Sequence, residues 1–402
     1  MASSASSSSR VFGLDVVRSI AIVLVMVCHA RWLIPGVDPQ QTPQWWLLGH
    51  AGVDLFFVLS GYLIGRILLR EIGHDARLAD VRRFWIRRWF RTLPNYLLAI
   101  VLACIVAWDY GYLTGTKVVT HLFFVRNLMW NWPTLFPVGW SLAVEEWFYL
   151  TAPLLLLGWA WMCRKRGRPF DVWGVIGVML GVPLAARLWF LLPGGEVLSL
   201  TRAIVGCRLD AIGYGVLLAR LMQQPRISVW LTRHRIALAG AGLLVWAAAT
   251  LALGDESTAK PAGFVLLLSL APLGAACLLP WAMAQRAPRC TTLGRVVTFI
   301  SVTSYSLYLY HWFVRFALLR LSERRMPWLR DEAWGVAVSL AVYVVASVVI
   351  AALAYRYYER PMTALRDRFS QRAAPRTGSQ TARAPRRLAA VLKARVALSD
   401  TP

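Results

Sequence analysis

Apolar residues run along this chain in blocks of about twenty, joined by short polar or arginine-rich segments, with no sustained period-two alternation. A helix of about 20 apolar residues reaches across the roughly 30 Å hydrocarbon layer of a bilayer. The pattern predicts ten such helices, near residues 12–34, 48–70, 93–110, 142–162, 172–192, 202–222, 236–254, 262–284, 296–320 and 333–357. The semi-apolar stretch from His121 to Leu135 is short and, with Asn127, Asn131, Pro133 and Pro137 interrupting its neighbourhood, reads as an external or re-entrant segment. The expected fold class is therefore all-α, a polytopic transmembrane bundle over residues 12–361. A cytoplasmic N-terminal tail (1–11) and a basic, disordered cytoplasmic tail (362–402) are expected to flank it.

Composition narrows this reading. Of the 402 residues, 58% are hydrophobic and only 16% charged, and the mean hydropathy is +0.52, which together exclude an ordinary soluble domain. Twenty tryptophans suit belts at the lipid headgroup level. Six widely spaced cysteines form no CxxC pair, so neither a disulfide framework nor a metal site is suggested. The N-terminal segment lacks a small-residue cleavage site and reads as a retained first span.

The net charge of +24 lies on alternate joints and the tail, which fits topology and anionic lipid better than nucleic acid. About seven arginines lie between Arg70 and Arg91, about four basic residues between Arg164 and Arg168, four between Arg220 and Arg235, and three between Arg286 and Arg295. The intervening joints are nearly free of them, so both termini are expected in the cytoplasm. The joint holding Glu323, Arg324, Arg325 and Arg330 runs against that rule. An amphipathic helix over Arg386 to Leu398, lying on lipid, competes with disorder for the tail.

Ionisable side chains inside spans are costly and by default face a packed interior or a water-filled cavity. Arg18 and His29 are eleven residues apart, so on one helix they project within about 20° of each other and roughly 16 Å apart along the axis. A bland reading pairs Asp15 with Arg18 at i,i+3 and leaves His29 bonding a neighbouring helix. Glu145 and His311 fall at a depth similar to His29, and a carboxylate converging with two imidazoles is raw material for acid–base chemistry or a proton relay. Asp54 adds a candidate, whereas Arg208 and Asp210 read as an internal ion pair. The run Arg82, Arg83, Arg87, Arg88 and Arg91, interleaved with Phe84, Trp85, Trp89 and Phe90, suits a phosphate and a planar ring, or else an interfacial anchor.

Several of these segments together resemble the acyltransferase-3 family of membrane O-acyltransferases, from the first helix to about Pro361. They are LDVVRSIAIVLVMVCHAR with Arg18 and His29, GVDLFFVLSGYLI with Ser60, and RRWFRTLPNY with Arg88, Arg91 and Pro94. GWSLAVEEWFYL with Trp140, Ser141, Glu145, Phe148 and Tyr149, SYSLYLYHW with Tyr305 and His311, and YYERP complete the series. The resemblance implies transfer of an acyl group, commonly acetyl, from cytoplasmic acetyl-CoA or another acyl-CoA to a hydroxyl of a saccharide or other glycosylated acceptor, in the inner membrane of a bacterium. It implies His29 as the principal catalytic residue, as base or transient acyl carrier, with Arg18, Glu145 and His311 beside it. Arg87, Arg88, Trp89 and Arg91 would hold the donor, and Asp54, Ser60, Trp140, Tyr149 and Tyr305 the acceptor. A stand-alone form without an SGNH-type hydrolase domain is expected, and Tyr62 and Trp147 depart from the Phe and Gln common at their positions. A proton-coupled transporter or flippase is the rival class, because buried Arg, His and Glu also mark transport paths. A scaffold without chemistry would leave the buried ionisable groups unexplained.

Overall fold

The structure, a computed structural model, describes residues 10–37, 43–73, 75–129, 134–191, 199–254, 261–288 and 291–372. Asn131, Pro133 and the Arg386 to Leu398 segment lie outside them. Every regular element among the described residues is helical. The helices are α1 (Phe12–Ala30), α2 (Pro43–Glu71), α3 (Leu78–Asp109), α4 (Gly115–Leu122), α5 (Gly139–Lys165), α6 (Trp173–Leu191) and α7 (Leu209–Met222). They continue as α8 (Pro225–Arg233), α9 (Arg235–Gly254), α10 (Pro261–Met283), α11 (Thr292–Arg324), α12 (Trp328–Asp331), α13 (Ala333–Ala354) and α14 (Arg360–Arg372), with a π turn at Tyr355–Glu359.

Seven segments among the described residues are long and apolar enough to cross a membrane; they lie on α1, α2, α3, α6, α9, α10 and α13. The three other predicted spans differ for identifiable reasons. Predicted 202–222 is two 3₁₀ turns (Ser199–Arg202 and Val205–Cys207) followed by the 14-residue α7, which at 1.5 Å per residue is about 21 Å long. Helices α5 and α11 have 27 and 33 residues, but both bury polar side chains such as Ser141, Ser301, Thr303, Ser306 and His311. Helix α3 starts fifteen residues before its predicted beginning, because the arginine run is itself helical and Pro94 sits within the helix.

The bundle inverts the usual distribution of polarity. Along α1 the buried Leu14, Val17, Ala21, Val25 and Cys28 recur at helical spacing, while Ile20, Val23 and Val27 face outward. Trp108, Leu244 and Leu251 are also exposed, yet Asp54, Arg187, Arg208, Asp210 and His311 are buried. Such a surface suits hydrocarbon as its solvent. Helices α2 and α7 approach to backbone contact: a Cβ on Gly61 would meet the Ile212 carbonyl at 2.0 Å, so only glycine fits there.

Candidate active site

A cavity of about 1370 Å³ opens between α1, α2, α3, α5, α7 and α11. Its wall includes the guanidinium groups of Arg10, Arg18, Arg66, Arg70, Arg88 and Arg91 but only two carboxylates, Asp15 and Glu145. Arg91 is exposed to this space. The remainder of the wall changes character, through Val53, Phe56, Phe57 and Leu142, and includes Tyr308.

Helix α3 presents Arg88, Arg91, Thr92 and Asn95 at i, i+3, i+4 and i+7 on one face, which is why the arginine run delivers only part of itself to the cavity. Arg88 lies 3.6 Å from Glu145 and donates to the Tyr149 hydroxyl at 2.5 Å, with its guanidinium carbon 3.9 Å from the Tyr149 ring centre. Tyr149 in turn donates to Glu145 at 3.0 Å. Its one proton being used there, the short contact with Ser60 has the serine as donor. Tyr305 lines the cavity and donates to the Thr92 carbonyl at 2.7 Å.

Asp15 is held by Arg10 at 2.5 Å and by Ser301 at 2.7 Å, so the expected i,i+3 pair with Arg18 does not form. Arg18 makes no hydrogen bond or ion pair among the described residues and is left facing the cavity.

His29 and His311 meet. Their rings are 4.9 Å apart, and Nε2 of His311 lies 3.4 Å from Nδ1 of His29. His311 Nδ1 is 2.9 Å from the Leu307 carbonyl and His29 Nδ1 is 2.8 Å from the Val25 carbonyl. Each carbonyl can only accept, so both Nδ1 atoms carry hydrogen. His311 Nε2 then accepts from His29, leaving His29 Nε2 with the unshared pair of the couple. Tyr308 links this couple to the cavity: it lines the wall, its ring is 6.0 Å from His311, and its hydroxyl is 2.6 Å from Ser141.

The expected three-way convergence is therefore only partly present. His29 joins His311, but Glu145 faces Arg88, since its position on α5 turns it toward α3. Neither imidazole is on the cavity wall itself.

A profile described as an acyltransferase domain matches residues 11–356. The chain belongs to the acyltransferase-3 family. The peptidoglycan O-acetyltransferase OatA of Listeria monocytogenes is 25% identical over 390 residues, covering 89% of this chain and 56% of that protein. The Bacillus subtilis protein named "Putative peptidoglycan O-acetyltransferase YrhL" is 33% identical over 171 residues, 39% of this chain and 25% of that protein. A Staphylococcus aureus (strain COL) protein named "Putative O-acetyltransferase SACOL0978" is 31% identical over 185 residues, 42% of this chain and 29% of that protein. The chain thus spans about a quarter to just over half of these relatives. No solved structure matches.

Four residues expected at the site stand elsewhere. Arg87 is paired with Glu71, and Trp89 stacks on Trp85 at 5.7 Å; neither lines the cavity. Asp54 is sealed in an ion pair with Arg208. Trp140 packs its ring against Phe57 and His50. Asp210 pairs with Arg187 on α6, not with Arg208, correcting the expected internal pair. Sequence reasoning passed over Arg187, because one arginine in an apolar helix carries no pattern until its partner is known.

Tyr308 and Ser141 were quoted within motifs without a role, though Tyr308 precedes His311 by three residues and shares its face. Glu359 of YYERP also gains a setting. It accepts from Ser306 at 2.6 Å and from Asn95 at 3.4 Å, while Tyr310 donates to Asn95 at 2.6 Å, tying the π turn to α3 and α11.

Proposed function

We propose that this protein is a membrane O-acetyltransferase that moves an acetyl group from acyl-CoA to a hydroxyl of a saccharide, with peptidoglycan as the acceptor class suggested by the names of its relatives. One observation carries the reading: a cavity with six guanidinium groups on its wall also contains an apolar stretch and Tyr308, beside a paired imidazole. Arg18, Arg88 and Arg91 suit the phosphates of a nucleotide-bearing donor, because guanidinium forks bind phosphate oxygens in bidentate fashion. The apolar stretch past Phe56 and Phe57 suits the pantetheine arm and thioester. Small ligands occupy pockets of about 300–1,000 Å³, so a larger volume fits a donor with separate nucleotide and thioester ends.

In this reading His29 Nε2 accepts the proton of the acceptor hydroxyl as its oxygen attacks the thioester carbonyl. The C–S bond then breaks, and the sulfur leaves as CoA thiolate, which ends as the thiol by taking up the proton that His29 gives back, so the imidazole returns to its neutral form. His311 keeps its acceptor atom toward His29 and stabilises the imidazolium that forms. The same unshared pair would carry the acyl group in a two-step route. Glu145 holds Arg88 and Tyr149 in register with the donor. Arg87 and Trp89 would act from outside the cavity, by fixing the first turns of α3. Asp54 and Trp140 would shape the acceptor side only through packing.

The proposed arrangement has ten crossings. The seven long apolar segments are joined by α5 and α11, whose polar residues face inward, and by α7 with its preceding turns. The positive joints, by the charge rule, put Arg70 to Arg91 and both termini in the cytoplasm of a bacterium, with the protein in its inner membrane.

The test is incubation of purified protein with labelled acetyl-CoA and a saccharide acceptor. Acceptor-dependent release of CoA with label on the saccharide is the expected result. Saccharide movement across vesicles without CoA release would replace this reading with a transporter.

A further inference from the structure

The donor reading uses three of the six guanidinium groups on the cavity wall and leaves Arg10, Arg66 and Arg70 without a role. Helix α2 sets their level. Its Gly49 lies so close to α1 that a Cβ there would meet Sγ of Cys28, the neighbour of His29, at 2.7 Å. Eleven residues further along, Ser60 bonds the Tyr149 hydroxyl, which also accepts from Arg88. Arg66 and Arg70 follow six and ten residues beyond Ser60. At 1.5 Å per residue these steps are about 16 Å from Gly49 to Ser60, then about 9 and 15 Å to the two arginines. The cavity therefore has an order, with Arg88 between the imidazole end and the Arg66 to Arg70 end.

Arg66 and Arg70 are one turn apart on a single face of α2, and both are exposed and line the cavity. Arg66 has only neutral company. Its guanidinium carbon is 5.7 Å from the Tyr62 ring centre, it donates to the Tyr62 hydroxyl, and it makes no ion pair among the described residues. Arg70 lies 3.6 Å from Glu71, but that carboxylate is already held by Arg87. Arg10, by contrast, has Asp15 to itself. The charge rule accounts for basic residues at this end of a span. It does not account for their place on the wall of a cavity that already carries Arg18, Arg88 and Arg91, where further like charge is unfavourable until an anion enters.

We infer that Arg66 and Arg70 form a second phosphate subsite, which takes the 3′-phosphate of the donor's ribose while Arg18, Arg88 and Arg91 take its diphosphate. This rests on the acyl-transfer reading and specifies its donor: a coenzyme A ester recognised by two separate phosphate groups with the ribose between them. A donor that ends in phosphopantetheine would lack one of these contacts. Guanidinium forks suit each phosphate in bidentate fashion.

Calorimetric titration of the full chain in detergent compares two probes, CoA and 3′-dephospho-CoA. CoA should bind at least about tenfold more tightly, the factor expected from one charge-assisted contact. Arg66→Gln with Arg70→Gln should bring the two affinities together, and Arg66→Lys with Arg70→Lys should restore part of the difference. Arg88→Ala with Arg91→Ala should weaken both probes and leave their ratio standing. The unfolding temperature in detergent is monitored for every protein. Equal binding of the two probes by the unsubstituted chain, no binding of either, or a ratio that survives Arg66→Gln with Arg70→Gln would overturn the subsite. Transfer assays with labelled acetyl-CoA separate the two readings: a ratio that needs Arg66 and Arg70, without label reaching the saccharide, would sink acyl transfer and leave the phosphate subsite standing.

Discussion

Two groups of arginines sit within this bundle, and their surroundings are opposite. Arg187 and Arg208 are almost wholly buried, each against one aspartate, with further bonds to Ser269 and to the Val265 and Leu268 carbonyls. They tie α6, α7, α10 and α2 together. Arg18 and Arg91 instead face an open cavity without a hydrogen-bonded partner among the described residues, and Arg88 shares Glu145 with Tyr149. In the first group the charge is cancelled inside the protein and its product is rigidity. In the second, Arg88 keeps a shared carboxylate while Arg18 and Arg91 face the cavity without one bonded to them among the described residues. An arginine within an apolar helix thus has no fixed meaning; the presence or absence of its carboxylate decides it.

The sharpest way to break this comparison is the chemistry beside the open group. His29→Ala should lower acyl transfer about 10²–10⁴-fold at normal expression, the range for a lost general base. Retained transfer in membranes would remove the imidazole couple from the reaction. On the sealed side, Arg187→Ala should destabilise the protein by about 3–5 kcal/mol, because it strands Asp210 in the interior. Joint replacement, Arg187→Leu with Asp210→Leu, should recover most of that loss in a detergent unfolding assay.

Arg88→Ala combined with Arg91→Ala sharpens the contrast from the other direction. Acyl-CoA binding should weaken at least about tenfold, roughly one charge-assisted contact, while unfolding shifts less than in Arg187→Ala. Titration of acyl-CoA against both proteins checks this, and unchanged affinity would separate the basic cavity from the donor.

The smallest effect concerns His121 on α4. Burial pushes this imidazole from 6.5 down to about 4. Its Nδ1–H donates to the Lys117 carbonyl at 2.7 Å, and its Nε2 accepts from the N–H groups of Leu135 and Phe136 at 3.4 and 3.3 Å. The unfolded chain binds this proton first, so the contribution to stability is complete above pH 6.5 and is lost as pH falls from 6.5 to about 4. His121→Gln should flatten that part of the curve of unfolding temperature against pH. An unaltered curve would show that the proton does not report on this contact.

Much of the bundle was legible because a bilayer demands long apolar helices, and such blocks are visible in one dimension. The eleven-residue offset from Arg18 to His29 likewise fixed a shared helical face. Less legible were the helices that bury polar groups. The arginine run reads as a joint between spans, although its spacing of Arg88, Arg91 and Asn95 is helical, and the predicted span over 202–222 runs through two 3₁₀ turns before the short α7. The partner of a charge was beyond reach: Asp210 lies two residues from Arg208 yet bonds Arg187 on another helix.

By itself, then, the order of residues determined a helical membrane architecture, its main spans and the faces on which Arg18, His29 and His311 project, because periodicity and hydropathy are local properties. Only the tertiary structure decided that His311 meets His29 while Glu145 meets Arg88, and that Arg87 and Trp89 miss the cavity. Those outcomes depend on how neighbouring helices rotate and approach, as Gly61 permits between α2 and α7. Packing between distant segments sets that geometry.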